Sequence, residues 1–403
     1  MRATVSLGEI QPAGSRGMRT RSAVALSDGY AITGTVGGQV RAVSLESDGE
    51  KGWETTINDE YVVSLSSIPN KTVAVGGRGE NGFIGALDTE TGDLRWGYRS
   101  ADDVGEAQRE SLFFLPHVVD VESDGSRVYA AARRYERDGE DRAFESVVYA
   151  FDRDGSVVWT YHADASPISL DLCGKRLAVA YNRCPSDHQC GLVVLDANTG
   201  NEHLTWDPGT AGDRRVGDVS LFGDGVAVAS HGDYRGYLLD ENGRERWLVD
   251  LARPVEIGEE TLYAYPNHVL AVEEGVVFVT GNTYPEDGRE SEGRHPREHT
   301  ISAYDADGRE RWHAVLGGWA NELATDGKTI GVPCAQHLRD RDPTAYGLRL
   351  FDLVEGRGGE HSTKGVVTAV ALDDEHVAAI EEPVEYHDSD GVRGDHRLHL
   401  FPR

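Results

Sequence analysis

The stretch Cys184-Pro-Ser-Asp-His188-Gln-Cys190 is where soft metal ligands cluster most closely in this sequence. Two sulfurs and an imidazole could hold three corners of a tetrahedral zinc site. Cys334 and His337 could supply a fourth ligand, though they lie far along the chain. The spacing matches no standard finger or ribbon, so two other states stay open, a local disulfide in an oxidising compartment or free thiols. Cys173 sits in an apolar run and reads as core.

A second constellation is polar and aromatic. Pro116-His117-Val118 and Pro266-Asn267-His268-Val269 each open an apolar strand after an aromatic-rich run, and Gly317-Gly318-Trp319-Ala320-Asn321-Glu322 holds a similar place further on. Tyr135, Tyr284, His337, Tyr386 and His387 begin long loops. If the strands converge, these residues form a pocket for a small ligand or a peptide end. The same residues would also suit hydrogen bonding between loop and strand. There is no G-x-S-x-G elbow, no H-E-x-x-H, no P-loop and no dinucleotide fingerprint, so covalent and hydrolytic catalysis have no signature here.

The formal net charge is −29, from 69 acids against 40 bases, and only five of those bases are lysine (Lys51, Lys71, Lys175, Lys328, Lys364). An acidic, lysine-poor, arginine-rich chain resembles proteins of salt-accumulating halophiles. In molar salt the screening length is about 3 Å, which removes most self-repulsion. Isolated carboxylates then carry little functional meaning. The balance also excludes a nucleic-acid reader, which needs a basic stripe. No window reaches the ~20 apolar residues of a membrane span, and residues 1–12 contain no uninterrupted apolar segment. The expectation is a soluble cytoplasmic protein without membrane contact. With 39% hydrophobic residues and 48 glycines, the composition suits a globular chain with many tight turns.

The elements that must position these residues follow a repeat. Ala86-Leu87-Asp88-Thr89-Glu90-Thr91-Gly92-Asp93-Leu94-Arg95-Trp96 reads as a strand, a turn capped by Asp88 with positive φ at Gly92, and a second strand anchored by Trp96. Degenerate copies keep Asp, Gly and Trp, placing Trp53, Trp96, Trp159, Trp206, Trp247 and Trp312 at one position of the unit. The units span about 22–57, 62–99, 117–162, 168–207, 216–250, 268–315, 321–361 and 366–401. The seventh lacks its tryptophan. The last stops one strand short, while residues 2–10 read as a strand without a local partner. A ring closes if the first strand completes the last sheet and so pairs otherwise open edges.

The motif A-x-D-x-x-T-G-x-x-x-W, complete at Ala86–Trp96 and close but longer at Asp196–Trp206, resembles the tryptophan-docking repeat of the PQQ-like (pyrroloquinoline-quinone-type) β-propeller family. The resemblance implies an all-β fold, a single propeller of four-stranded antiparallel blades, with eight blades favoured over seven. It also implies that each docking tryptophan packs between adjacent blades. Quinoprotein dehydrogenases of that family add a calcium site, a catalytic aspartate, commonly a vicinal cysteine pair and a secretion signal. This sequence has neither adjacent cysteines nor such a signal, so PQQ is not an expected cofactor; calcium or zinc is the alternative to none.

In a propeller the loops between second and third strands emerge beside the blade-to-blade connections. The long ones (133–145, 282–299, 336–346, 381–396) and the connection 100–116 therefore decorate one face. His117, Asn267, His268, Trp319, Asn321 and Glu322 would line the channel mouth there, with Tyr135, Tyr284, His337, Tyr386 and His387 behind them. The expectation is a non-catalytic, monomeric ring that scaffolds another protein. The alternative is a small-molecule or metal site at the mouth.

Overall fold

The computed structural model describes residues 3–14, 22–46, 49–57, 61–109, 111–288, 291–337, 339–386 and 391–402. Strands pair antiparallel with their sequence neighbours in fours. The first unit is Ala23–Ser27, Tyr30–Gly34, Gln39–Ser44 and Lys51–Thr56; the second is Tyr61–Ile68, Thr72–Arg78, Phe83–Asp88 and Leu94–Arg99. The pattern continues through His117–Ser123, Val128–Asp138, Asp141–Phe151 and Val157–Ala163 to the fourth unit, Ser166–Cys173, Arg176–Arg183, Leu192–Asp196 and Glu202–Trp206. Val216–Phe222, Gly225–Ser230, Arg235–Leu239 and Glu245–Asp250 follow, then Glu260–Val272, Gly275–Pro285, Thr300–Tyr304 and Glu310–Val315. The seventh has Ala324–Thr325, Thr329–Cys334, Gly347–Asp352 and Glu360–Ser362.

Burial explains why each strand has its composition. The second strands are enclosed on both faces and read as unbroken small or β-branched runs, as in Thr72–Arg78 and Gly225–Ser230. The outer strands Leu94–Arg99, Glu245–Asp250 and Glu310–Val315 alternate, one face in solvent and the other against the next unit. Every unit buries its apolar face against a neighbour, so the sheets stack radially as a β-propeller.

The turn chemistry is the same in unit after unit. Asp88 Oδ1 accepts the N–H groups of Glu90 (2.9 Å) and Thr91 (3.0 Å), and Asp152, Asp196, Asp240, Asp305 and Asp352 each accept two N–H groups in the equivalent turn. The glycine of that turn is a landing site for the preceding unit. A Cβ on Gly92 would lie 2.4 Å from the Trp53 ring, on Gly155 2.6 Å from Trp96, on Gly200 2.7 Å from Trp159, on Gly308 2.9 Å from Trp247 and on Gly356 2.5 Å from Trp312. The indole N–H completes the dock: Trp53 donates to Thr89 O (2.7 Å), Trp159 to Ala197 O (3.0 Å), Trp247 to Ala306 O (3.0 Å) and Trp312 to Leu353 O (3.1 Å).

Trp206 departs from the expectation. The group over Gly243 is Leu204, 2.5 Å from where a Cβ would be. The tryptophan sits two residues later, edge-on to Tyr237 at 4.9 Å between ring centroids. Leu204 is the residue four positions after Gly200, the spacing Gly92–Trp96 has, so the extra length of this copy moves tryptophan out of register. In the seventh unit, which has no tryptophan, His361 stacks on Phe401 at 4.2 Å.

The last unit is Val366–Leu372, His376–Glu382 and Arg397–Pro402, and its fourth strand is Ala3–Ser6, paired from Ala3↔Leu400 to Ser6↔Arg397. The expected strand over 2–10 is thus shorter, and Arg2 lies outside the described residues. Leu7, Val24, Ala31 and Val43 share one core cluster with Ala369, Ala378, Ile380, Leu398 and Leu400, so the two ends of the chain are packed together. A polar clasp crosses the seam: Thr4 Oγ1 meets His399 Nδ1 (3.2 Å), His399 Nε2 meets Glu381 Oε2 (2.7 Å), and Glu381 Oε1 accepts Gly365 N–H (2.6 Å). The connection expected over 133–145 is mostly a regular hairpin, with strands reaching Asp138 and resuming at Asp141, because its residues pair in unbroken register.

Gly155 and Gly139 both have positive φ (81° and 59°), but only Gly155 carries a docked ring, with nothing within 4 Å of a Cβ on Gly139. Gly155→Ala should therefore cost at least ~2 kcal/mol in denaturant unfolding, combining backbone strain with displacement of Trp96, against ~1 kcal/mol for Gly139→Ala. Equal losses would show that the tryptophan contact contributes nothing.

Candidate functional site

The inner strands surround a cavity of about 710 Å³. An inner strand has no hydrogen-bonding neighbour on its channel side, so some of its backbone N–H groups need side-chain acceptors. The sequence answers with a β-bulge near the same level of six sheets, between Val62 and Ser64, Val118 and Asp120, Pro167 and Ser169, Val216 and Asp218, Pro266 and His268, and Val367 and Ala369. A bulge re-aims one side chain. The re-aimed residue reaches the following sheet: Ser64 Oγ accepts Val121 N–H (3.2 Å), Asp120 Oδ2 accepts Leu170 N–H (3.1 Å), and Asp218 Oδ2 accepts Val269 N–H (2.9 Å). At the same level Glu322 Oε1 accepts Val370 N–H (2.6 Å), and two residues further along the strands Asp171 accepts Leu221 N–H and Ser220 Oγ accepts Ala271 N–H (3.1 Å).

These carboxyls are held in a water-poor wall, and burial raises their pKa values. Asp120 and Asp171 are each pushed up to about 6 and Glu322 to about 7, against the lowering effect of the N–H groups they accept. Glu122 is raised further, by burial and by the charges of Asp120 and Asp171. His268 spans the wall, with Nε2 3.1 Å from Ala320 O and Nδ1 3.6 Å from Asp218 Oδ2.

Above the acids the wall changes character. Asn182 Nδ2 lies 2.6 Å from His231 Nδ1, His231 stacks near Tyr265 (4.7 Å), and Tyr265 faces Tyr284 (5.5 Å). His231 is pushed down to about 3 by burial and by the Arg214 charge, so the ring is neutral. Arg133 and Arg214 line the same cavity. Trp319 Nε1 donates to Asn321 Oδ1 (3.0 Å), whose Nδ2 donates to Thr368 O (3.4 Å).

Of the residues singled out from sequence, His117, Asn267, His268, Trp319, Asn321, Glu322 and Tyr284 do line this cavity. Tyr135, His337 and Tyr386 do not, and His387 lies outside the described residues. Tyr135 stacks on Phe114 (5.1 Å) at the third unit's hairpin, because the regular hairpin carries it outward. Tyr386 donates to or accepts from Tyr346 (2.6 Å between hydroxyls) with Arg341 and Arg393 over its ring, pinning two loops together. His337 Nε2 lies 3.2 Å from Glu298, which is held down to about 2: burial opposes its charge, but His337 and Thr283 N–H outweigh it.

The cysteine loop is not arranged as a zinc site. His188 Nε2 is turned to Cys190 O (2.9 Å), Cys184 Sγ points to the same oxygen (3.5 Å), and burial pushes the Cys184 thiol up to about 12. All four cysteines are free thiols. Among the described residues no group of three or more His, Cys, Asp or Glu is placed to hold a metal ion. The channel carboxylates are committed to backbone N–H groups, a poor donor set for calcium.

Sequence reasoning missed Asp120, Glu122, Asp171, Asp218, Arg133, Asn182, Arg214, His231 and Tyr265. A signal existed for the acids: Val118-Val119-Asp120-Val121-Glu122 places carboxylates inside an otherwise apolar inner strand.

Comparison with known proteins agrees with this architecture. The family model described as outer membrane protein assembly factor BamB matches residues 36–231. The structure is similar to BamB from Moraxella catarrhalis (15% identity, TM-score 0.57, covering 99% of this chain and 97% of that one). It is also similar to quinohemoprotein alcohol dehydrogenase from Comamonas testosteroni (12%, 0.60, 99% and 75%) and to a chain of the mitotic checkpoint complex (12%, 0.52, 85% and 90%). A comparison with curated protein sequences finds no match.

The raised carboxyls make a pH signature. The folded chain holds these protons more tightly than the unfolded one, so their contribution is full below about pH 4 and is lost as pH rises through about 6 to 7. Glu322→Gln keeps an acceptor for Val370 N–H and removes one titration. It should match the parent near pH 5 and unfold at higher denaturant near pH 8. A pH-independent difference would mean that Glu322 does not titrate in the folded wall. Together the docking turns and the radial sheets show a β-propeller, and the family model matched over residues 36–231 supports repeats of the PQQ-like type.

Proposed function

We propose that this chain is a non-catalytic interaction module, an eight-bladed ring, cytoplasmic and salt-adapted, whose loop-bearing face receives another protein. The observation that carries the reading is an aromatic cluster on that face. The third unit's hairpin and the preceding blade-to-blade connection bring together Phe113, Phe114, Tyr135 and Phe144, with ring centroids 5.1 to 6.5 Å apart and Arg109 5.0 Å over Phe114. Phe113 is 53% exposed, and a large aromatic left in water beside other rings is the usual core of a protein contact. The folds of BamB, an assembly factor by its name, and of a checkpoint-complex chain lend support by analogy of architecture. The net charge of −29 and the scarcity of lysine support a saline cytoplasm, and among the described residues no helix is long and apolar enough to cross a membrane.

A quinoprotein activity is disfavoured by the donor set. The channel acids are raised by burial and accept backbone N–H groups, and none of the four cysteines is adjacent to another. A native pull-down from the source cells in high salt tests the scaffold. Phe113→Ser with Tyr135→Ser should lose the stoichiometric partner while unfolding within about 2 °C of the parent, since both residues lie outside the radial cores. Undiminished partner recovery by the double variant would refute docking at this patch.

A further inference from the structure

Three arginines meet at the channel mouth, two on strands and one on a connecting segment, and the pairing places them. Arg133 Nη1 donates to Ser166 Oγ, Ser166 is the cross-strand partner of Arg183, and Arg183 bridges directly to Arg214. Like charges on opposed strand positions are unfavourable. One carboxylate serves the group: Asp213, 2.6 Å from Arg183 and 3.9 Å from Arg142. Arg133 and Arg214 make no ion pair among the described residues. They lie instead against aromatic faces, Arg214 4.5 Å over Tyr265 and Arg133 5.8 Å over Phe144. Acids outnumber bases 69 to 40 in this chain, so guanidiniums sharing so few acids run against its composition. Burial, then the Arg183 charge, pushes Arg133 down to about 10, a sign that its positive charge is poorly compensated.

We propose that Arg133 and Arg214, with Arg183 behind them, form a recognition site for a carboxylate carried into the channel mouth. A planar guanidinium pairs with a carboxylate through two parallel N–H···O bonds. The tier below selects against a more highly charged anion. Asp120, Glu122, Asp171, Asp218 and Glu322 all line the same cavity, and those that are ionised oppose a dianionic phosphate more than a single negative charge held at the rim. Tyr265, Tyr284 and Trp319 supply flat walls for the body of the ligand, and the acids and His268 can accept its hydroxyl or amine donors. The carboxylate comes either from a free organic acid or from the C-terminus of a peptide. This site adjoins the aromatic hairpin at Phe144, over which Arg133 lies, but it uses neither Phe113 nor Tyr135 and is tested apart from docking there.

Calorimetric titration of the full chain at constant potassium chloride tests it. The probes are benzoate, the pentapeptide Gly-Gly-Ser-Gly-Tyr with a free C-terminus, the same peptide amidated, and inorganic phosphate. The free acid of at least one source should bind, with the amide weaker by about tenfold or more. Arg133→Gln and Arg214→Gln should each remove at least about tenfold of carboxylate affinity. Binding of benzoate alone assigns a small acid; binding of the free-ended peptide alone assigns a chain end. Without ligand, Arg214→Gln should melt no lower than the parent, because it relieves uncompensated charge. The proposal is overturned if acid and amide bind alike, if phosphate binds more tightly than either acid, if neither acid binds, or if Arg214→Gln is destabilised on its own. Phe113→Ser with Tyr135→Ser should retain carboxylate binding, which separates failure here from failure of the scaffold reading.

Discussion

The channel edge of every inner strand is the constraint from which the centre of this molecule follows. A sheet that ends at a channel leaves backbone N–H groups facing inward, and burial makes them costly unless an acceptor reaches them. Bulges at matching levels re-aim Ser64, Asp120 and Asp218 so that each accepts an N–H group from the following sheet. The carboxylates of the wall therefore join neighbouring sheets and need no catalytic purpose to account for them. Their raised pKa values are a consequence of burial in that wall, which outweighs the lowering effect of the N–H groups they accept. Perturbed titration is a common mark of active sites, but here burial of groups needed as backbone acceptors supplies a structural cause.

At the periphery a second contact sets the spacing of the sheets. The turn that reverses the chain between third and outer strands needs positive φ, and glycine meets that need while leaving its Cβ space empty. The indole of the preceding unit fills the space and donates to a turn carbonyl. One glycine thus serves local chain reversal and long-range packing together. Leu204 shows that the position tolerates an apolar group other than tryptophan, whereas the glycine below it is kept at Gly243.

These two contacts explain what could be read from the residues and what could not. Asp88, Gly92 and Trp96 act within nine positions of one another, so the repeat, the all-β class and the closing role of the first strand were visible as patterns. Trp206 misled because residue identity was followed rather than spacing from Gly200; the geometry honours the spacing. The channel acids were hidden by composition, since among 69 acids a carboxylate on an inner strand resembles one placed for solvation in brine. Arg133, Arg183 and Arg214 are separated by 50 and 31 positions, and only the pairing of Ser166 with Arg183 and of Arg183 with Arg214 makes them neighbours. Tyr135 looked like a mouth residue while the segment 133–145 was read as an irregular loop, and moved outward once the hairpin proved regular.

The charge distribution then acquires a meaning that net charge alone does not have. An acidic surface in concentrated salt acts over a few ångströms, so distant acids neither attract nor repel a ligand appreciably. Recognition must come from groups that are partly withdrawn from the solvent and held in place. The mouth meets both conditions: Arg214 is held over Tyr265, Arg133 is held by Ser166, and both line the cavity wall. Arginine suits the task better than lysine, because its delocalised charge is weakly hydrated and its fork is rigid. In a chain that has nearly abandoned lysine, the positive charge that remains is of the kind that would still bind in the concentrated salt proposed for its surroundings.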